Sequence, residues 1–197
     1  MSIERLQITA EDLLHDSFRL AMQILDSGFR PDFIIGIWRG GAPVGIAVQE
    51  LLEVANCPTD HIAIRTSAYS APGQRSETVQ VHGLGYMIRK LNSENRLLIV
   101  DDVFDTGLSI DAVIQVLLER TRKNMPSDVR IATPWFKPEN NKTSRVPDYF
   151  LHETDKWLVF PHELQGMSID EIRSDKSDLG FLADWMSERT DTGTRKD

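Results

Sequence analysis

The sequence predicts an α/β domain with a mainly parallel central sheet flanked by helices. Two observations point to it: short apolar runs rich in isoleucine and valine alternate with longer stretches of helical spacing, and Gly- or Asp-rich turns follow directly on the ends of those runs. A third is size, since 197 residues with 41% hydrophobic side chains suffice for one domain around one sizeable core.

The elements follow in order. Leu13, Leu14, Phe18, Met22 and Leu25 recur at spacings of three and four, which predicts a helix over 9–26, with Thr9 placed to cap its start and Gly28 its end. FIIGI, 33–37, reads as a buried strand, and after the turn WRGG the stretch 43–54 reads as a second helix. IAIRT, 62–66, is a second strand leading into the polar run SAYSAPGQRSETVQVHG, a functional loop or a poorly paired ribbon. LLIV, 97–100, is a third strand, followed by an acidic turn and a helix over about 109–122. VRIATPWF, 129–136, reads as a fourth strand and DYFLHE, 148–153, as a fifth. WLVFPHE, from Trp157, is too interrupted by proline for a central strand. Ser168 with Glu171 makes a capping-box signal ahead of a helical stretch carrying Ile169, Ile172, Leu179, Leu182 and Trp185, and the last eight residues read as a frayed tail.

Charge narrows the partners. With 22 basic against 30 acidic residues the net charge is -8, unsuited to neutralising nucleic-acid phosphates, although a local arginine cluster would still hold a small anion. Cys57 is the only cysteine, which excludes an intrachain disulfide and a cysteine-based zinc site and suits a reducing cytoplasm. The N-terminus lacks the basic and apolar regions of a signal peptide, and no window approaches a membrane span. His15, His61, His82, His152 and His162 show no metal-ligand spacing.

The acidic turn carries most of the chemistry. Asp101, Asp102 and Asp105 follow the third strand, and ligands of parallel sheets bind outside the carboxyl ends of strands. They read either as solvated turn residues, with Asp105 or Thr106 capping the next helix, or as a binding site. Three clustered like charges repel unless a cation or hydroxyl donors are nearby, which favours the site. In DTGLS, 105–109, Gly107 permits close backbone approach while Thr106, Ser109 and the first helical amides form a phosphate cradle. Carboxylates for hydroxyls and metal beside amides for phosphate describe a phosphorylated sugar.

Residues 97–109, LLIVDDVFDTGLS, resemble the ribose-phosphate signature of the type I phosphoribosyltransferases, with Ser109 where the family usually has threonine. The resemblance covers roughly 33–163. It implies that family's fold, as a single domain over 1–197 with a core of about 28–155, a small hood from about 1–27 and 156–190, and a flexible tail over 190–197. It implies that Trp38, Arg39 and Gly40 of WRGG hold pyrophosphate around a cis peptide between Trp38 and Arg39, and that 67–83 is the mobile loop over the reacting centre. Gln74 and Arg75 are similar to that loop's pyrophosphate-contacting pair; the serine-tyrosine order of purine members appears here as Tyr69 then Ser70.

The resemblance further implies that Lys137, in TPWFKP, donates to the exocyclic oxygen of a 6-oxopurine, that Trp157 stacks on the base, and that Leu158 offers backbone groups to its edge. Glu163 matches a position that helps hold metal-bound waters. The implied reaction moves the 5-phosphoribosyl group of phosphoribosyl pyrophosphate to N9 of the purine, hypoxanthine favoured over guanine or xanthine. A nucleoside 5'-monophosphate and pyrophosphate result. Asp101 and Asp102 would help bind Mg²⁺, Asp105 would handle the base proton near N7, and Thr106, Gly107, Leu108 and Ser109 would hold the 5'-phosphate. The partners are then small molecules rather than nucleic acid or membrane, and the family suggests a homodimer or homotetramer. A regulator that senses phosphoribosyl pyrophosphate while binding nucleic acid is a second reading, disfavoured by the acidic charge and by Asp105; a transferase for another base is a third, disfavoured by Lys137 and Trp157.

Overall fold

The computed structural model describes residues 4–69 and 78–192. The chain divides into two compact units, the larger running from Glu11 to Asp155 and the smaller combining the residues up to Ala10 with those from Lys156 onward.

The larger unit is built on a five-stranded sheet. Its central strand β2 (Phe33–Trp38) is flanked by β3 (Asp60–Tyr69) and by β5 (Arg96–Val100), with β7 (Asp128–Ala132) beyond β5 and β4 (Thr78–His82) beyond β3. Every pairing is parallel except that of β3 with β4. β2 and β5 read as unbroken apolar runs because helices cover both faces of the sheet where they lie. Helix α2 (Gly41–Val54) packs on β2 and β5, while α3 (Gly85–Lys90) and α4 (Leu108–Thr121) join the core of Ile35, Ile37, Ile99, Met87, Val113 and Leu117 on the opposite face. β3 is longer than its apolar core suggests, because the alternating residues of β4 pair with it from Arg65↔His82 to Tyr69↔Thr78. The flanks of the polar run are thus a ribbon at the sheet edge.

Three expectations are corrected. VRIATPWF is not one strand: β7 ends at Ala132 and β8 (Trp135–Phe136) joins β6 (Val103–Phe104) and β9 (His152–Glu153) in a separate three-stranded sheet. Pro134, which has no amide hydrogen, lies at the break. DYFLHE is strand only at His152–Glu153, with Tyr149 making an isolated bridge to Ala132. The C-terminal helical stretch is two helices, α5 (Ile169–Asp175) and α6 (Gly180–Thr192), separated by a 3-10 turn at Ser177–Leu179.

Helix α1 (Ala10–Asp26) groups with the larger unit rather than with the C-terminal residues. It is held there by the buried Asp16 carboxylate, 2.8 Å from His152 Nε2, and by the helix-end Ser27 hydroxyl, 2.8 Å from the Tyr149 hydroxyl. In the smaller unit β1 (Arg5–Gln7) pairs in parallel with β10 (Trp157–Val159), outside the central sheet. The capping box at α5 is present in both directions, Ser168 Oγ accepting from the Glu171 amide and Glu171 Oε2 from that of Ser168. No helix among the described residues is long and apolar enough to cross a membrane.

Candidate active site

Two turns meet at the carboxyl ends of β2 and β5. The peptide between Trp38 and Arg39, closing β2, is cis. Gly40 and Gly41 follow and start α2, and both are pressed onto the acidic turn. A Cβ on Gly40 would lie 1.7 Å from Asp102 Oδ2, and one on Gly41 would lie 2.5 Å from the Val100 carbonyl oxygen and 2.8 Å from Asp101 Cα. Only residues without a side chain allow this approach. The ring of Trp38, 56% exposed, lines a separate apolar recess with Ile46 and Ala63, so the turn meets the acidic residues through its backbone.

The acidic turn itself lines a pocket of about 200 Å³ with Asp101, Asp102, Val103, Asp105, Thr106, Gly107 and Ser109. Its first carboxyl is held against the turn by hydrogen bonds: the Asp102 amide donates to Asp101 Oδ1 at 3.0 Å, and the Gly41 amide also donates to Asp101. Burial, joined by the adjacent negative charge of Asp102, nevertheless pushes the Asp101 carboxyl well above the ordinary range, and the amide bonds only partly offset this. A carboxyl in that state gains from a cation or hydroxyl donors.

Gly107 stands at φ +74° as the residue before α4, and a Cβ there would meet the Phe104 ring at 2.7 Å and Thr143 Oγ1 at 2.8 Å. The first amides of α4 have no intrahelical acceptor by construction; that of Leu108 donates to Thr106 Oγ1 at 3.4 Å, and with Ser109 these residues mark the positive end of a 14-residue helix. The start of α2 likewise abuts Asp101 through Gly41. Two helix N-termini therefore flank one acidic turn, an arrangement matched to a ligand with phosphate at both ends and hydroxyls between.

Lys137, 5% exposed, brings its ammonium to 3.6 Å from Asp105 Oδ2, and its amide donates to the Phe104 carbonyl at 2.9 Å. On the other oxygen of Asp105 sits a residue that sequence reasoning missed: Asn140 Nδ2 donates to Oδ1 at 2.8 Å. Thr143, touching Gly107, was missed too. The string PENNKTS after Lys137 carries only a turn signal, and nothing local says that it folds back onto residues 104–107.

The structure brings together Trp38–Gly41, Asp101–Ser109 and Lys137 within the larger unit. Trp157, Leu158 and Glu163 belong to the smaller one. There Trp157 is 56% exposed and Leu158 is buried opposite Leu6 in the β1–β10 pair. Glu163 Oε2 accepts from the Phe160 amide at 3.2 Å, and the buried Lys176 ammonium donates to the Phe160 carbonyl. Gln74 and Arg75 lie outside the described residues.

Comparison with known proteins gives this geometry a context. Residues 6–171 match the model of the phosphoribosyl transferase domain. Among solved structures, a purine phosphoribosyltransferase from Pyrococcus horikoshii shares 29% identity over 84% of this chain and 98% of that one, with a TM-score of 0.61. A Neisseria gonorrhoeae protein solved with ppGpp bound superposes at a TM-score of 0.70, with 22% identity over 88% of this chain and 96% of its own. The xanthine-guanine-hypoxanthine phosphoribosyltransferase of Helicobacter pylori superposes at 0.62, with 19% identity over 86% and 99%. No curated protein matches the chain.

Proposed function

The chain belongs to the phosphoribosyl transferase domain family, and from that membership and the acidic turn we propose that it transfers the 5-phosphoribosyl group of phosphoribosyl pyrophosphate to N9 of a 6-oxopurine, hypoxanthine first. The observation that carries this reading is the contact of the Trp38–Gly41 turn with Asp101 and Asp102, two turns to which the reading assigns diphosphate and ribose hydroxyls. Similarity to the Pyrococcus horikoshii purine enzyme supports a purine as the base.

Each part of the donor then has a partner. The diphosphate lies along Arg39, Gly40 and the start of α2, the two ribose hydroxyls on Asp101 and Asp102, and the 5'-phosphate on Thr106, Gly107, Leu108 and Ser109. Arg75 would add a cation to the diphosphate. As the bond to the anomeric carbon breaks, the sugar becomes positive and the leaving group more negative, so catalysis rests on fixed donors around the diphosphate and carboxylates beside the ring.

The donor set fits Mg²⁺ shared with the substrate. Asp101 and Asp102 supply hard oxygen ligands, while no group of three or more His, Cys, Asp or Glu side chains among the described residues forms a cage of its own. That is the mode of an ion held by one or two carboxylates together with substrate oxygens and water. When bound, it supplies charge neutralisation for the departing diphosphate. Asp105 would take the purine proton near N7 and Lys137 would donate to O6.

The test is to incubate the protein with Mg²⁺, phosphoribosyl pyrophosphate and, separately, hypoxanthine, guanine, xanthine, adenine and uracil, following nucleotide formation by chromatography. Formation of a 6-oxopurine nucleotide supports the reading. Turnover only with adenine or uracil, or donor binding with no turnover at all, overturns it, and the second outcome points to a regulator.

A further inference from the structure

We infer that Asn140 is a positioning residue for Asp105, fixing the carboxylate that the proposed reaction uses to handle the purine proton. The inference rests on that reading of Asp105. It begins with the two oxygens of this side chain, which meet different partners: the Lys137 ammonium at 3.6 Å from Oδ2, and the Asn140 side-chain amide donating to Oδ1 at 2.8 Å.

The two partners are not equivalent. At 3.6 Å the ammonium is beyond good hydrogen-bond length, so it acts on Asp105 as a point charge rather than as a directional donor. If Lys137 donates to the purine oxygen, as the functional reading has it, its charge is shared away from Asp105 once base is bound. Asn140 lies at the end of the 3-10 turn Pro138–Asn140. The segment around it is tied to the acidic turn on both sides by backbone bonds, Lys137 N to Phe104 O at 2.9 Å and Lys142 N to Thr106 O at 3.0 Å. These two bonds bracket Asp105 and hold the amide donor opposite it.

An amide nitrogen has hydrogens to give and no lone pair to accept, so this contact selects one orientation of the carboxylate. A proton acceptor needs that orientation, because it directs the other oxygen at the proton. Asn140 is a neutral donor, so beside the Lys137 ammonium it adds orientation without adding charge.

Two measurements separate this inference from the functional reading. In the first, the Asn140 side-chain amide resonances are followed by NMR as pH is lowered through the carboxyl range. They should track one titration that vanishes in Asp105→Asn; signals indifferent to that substitution overturn the inference, whether or not the protein proves to be an enzyme. In the second, Asn140→Ala should lower kcat about tenfold, the loss of one hydrogen bond to a charged group, while the KM for phosphoribosyl pyrophosphate stays within about twofold. Asn140→Gln should restore part of the rate. In the Asp105→Asn background the same Asn140→Ala change should cost nothing further, since the group it positions is gone. An equal loss in both backgrounds, or a loss confined to KM, overturns the positioning role. Because Asn140 is exposed, the variants are expected to fold with unchanged melting temperature.

Discussion

The substitution Gly41→Ala probes the backbone contact on which the proposed site depends. The new methyl would lie 2.5 Å from the Val100 carbonyl oxygen and 2.8 Å from Asp101 Cα, both backbone atoms at the end of a central strand. The turn or the strand end must retreat by about 0.5 Å merely to reach the 3.0 Å below which such contacts do not occur. Neither can rotate out of the way as a side chain would, so overpacking should cost about 1–3 kcal/mol, a fall of roughly 3–10 °C in Tm for a chain of this size. Function should suffer more, because a displacement of that order between diphosphate donors and diol carboxylates weakens transition-state binding by about tenfold to a hundredfold. The control lies one turn along the same helix. A methyl on Gly45 would come no nearer than 3.8 Å to Gly36 Cα, so Gly45→Ala should be neutral or add up to about 1 kcal/mol through helix propensity. Thermal unfolding, together with kcat/KM for phosphoribosyl pyrophosphate from steady-state kinetics, reads both effects. A Gly41→Ala protein with the melting temperature and kcat/KM of the parent would falsify the account of the two turns.

Three further outcomes are expected. Asp101 has its carboxyl raised in the folded protein, so the folded state holds the extra proton and stability falls as pH rises from the ordinary value near 3.8 through the raised one; Asp101→Asn should abolish that fall in metal-free buffer while weakening donor binding, and parallel Tm curves from about pH 4 to about pH 8 would refute it. Asp32 behaves in the opposite sense: burial pushes its carboxyl up, but hydrogen bonds and charge from Arg96 together outweigh this and leave it low, so its stabilisation is present above the ordinary value and lost as acid protonates it. With both side chains more than a third exposed the effect is modest, and Asp32→Asn should flatten only the acid limb of the stability curve. Lys137→Met keeps the buried stem and removes the ammonium; the KM for the purine should rise about tenfold with donor affinity unchanged, and an unchanged purine KM in steady-state kinetics removes the proposed contact.

What was legible in the sequence was local. Four apolar residues ahead of Asp101, or isoleucines ahead of the WRGG turn, announce a buried strand and its end, and residues bound to such ends are placed with them. Other features arise from pairing between distant segments. β4 becomes a strand because β3 offers it an edge, β1 because β10 does, and neither is long or apolar enough to signal itself. Pro134 divides a run that looks continuous in composition because a proline has no hydrogen to give the ladder. Asn140 was illegible for the same reason: its role depends on residues 137–142 folding back on 104–106, a contact between segments more than thirty residues apart.

The glycines and the aspartates of the site describe one constraint from two sides. Gly40 and Gly41 are required where they stand because Asp101 and Asp102 occupy the space their side chains would need. Asp101 is raised because the approach of that backbone removes water from its carboxyl, while the Gly41 amide returns part of the lost solvation as a hydrogen bond. Either residue type alone would be an ordinary turn. Together they hold a carboxyl in a state that favours the neutral form until positive charge or a hydroxyl donor arrives, and in the proposed reaction the donor's ribose and its accompanying cation bring both. A stabilising Asp101→Asn substitution that at the same time weakens donor binding is the signature of that arrangement, since a residue kept for the fold would lose stability on the same change.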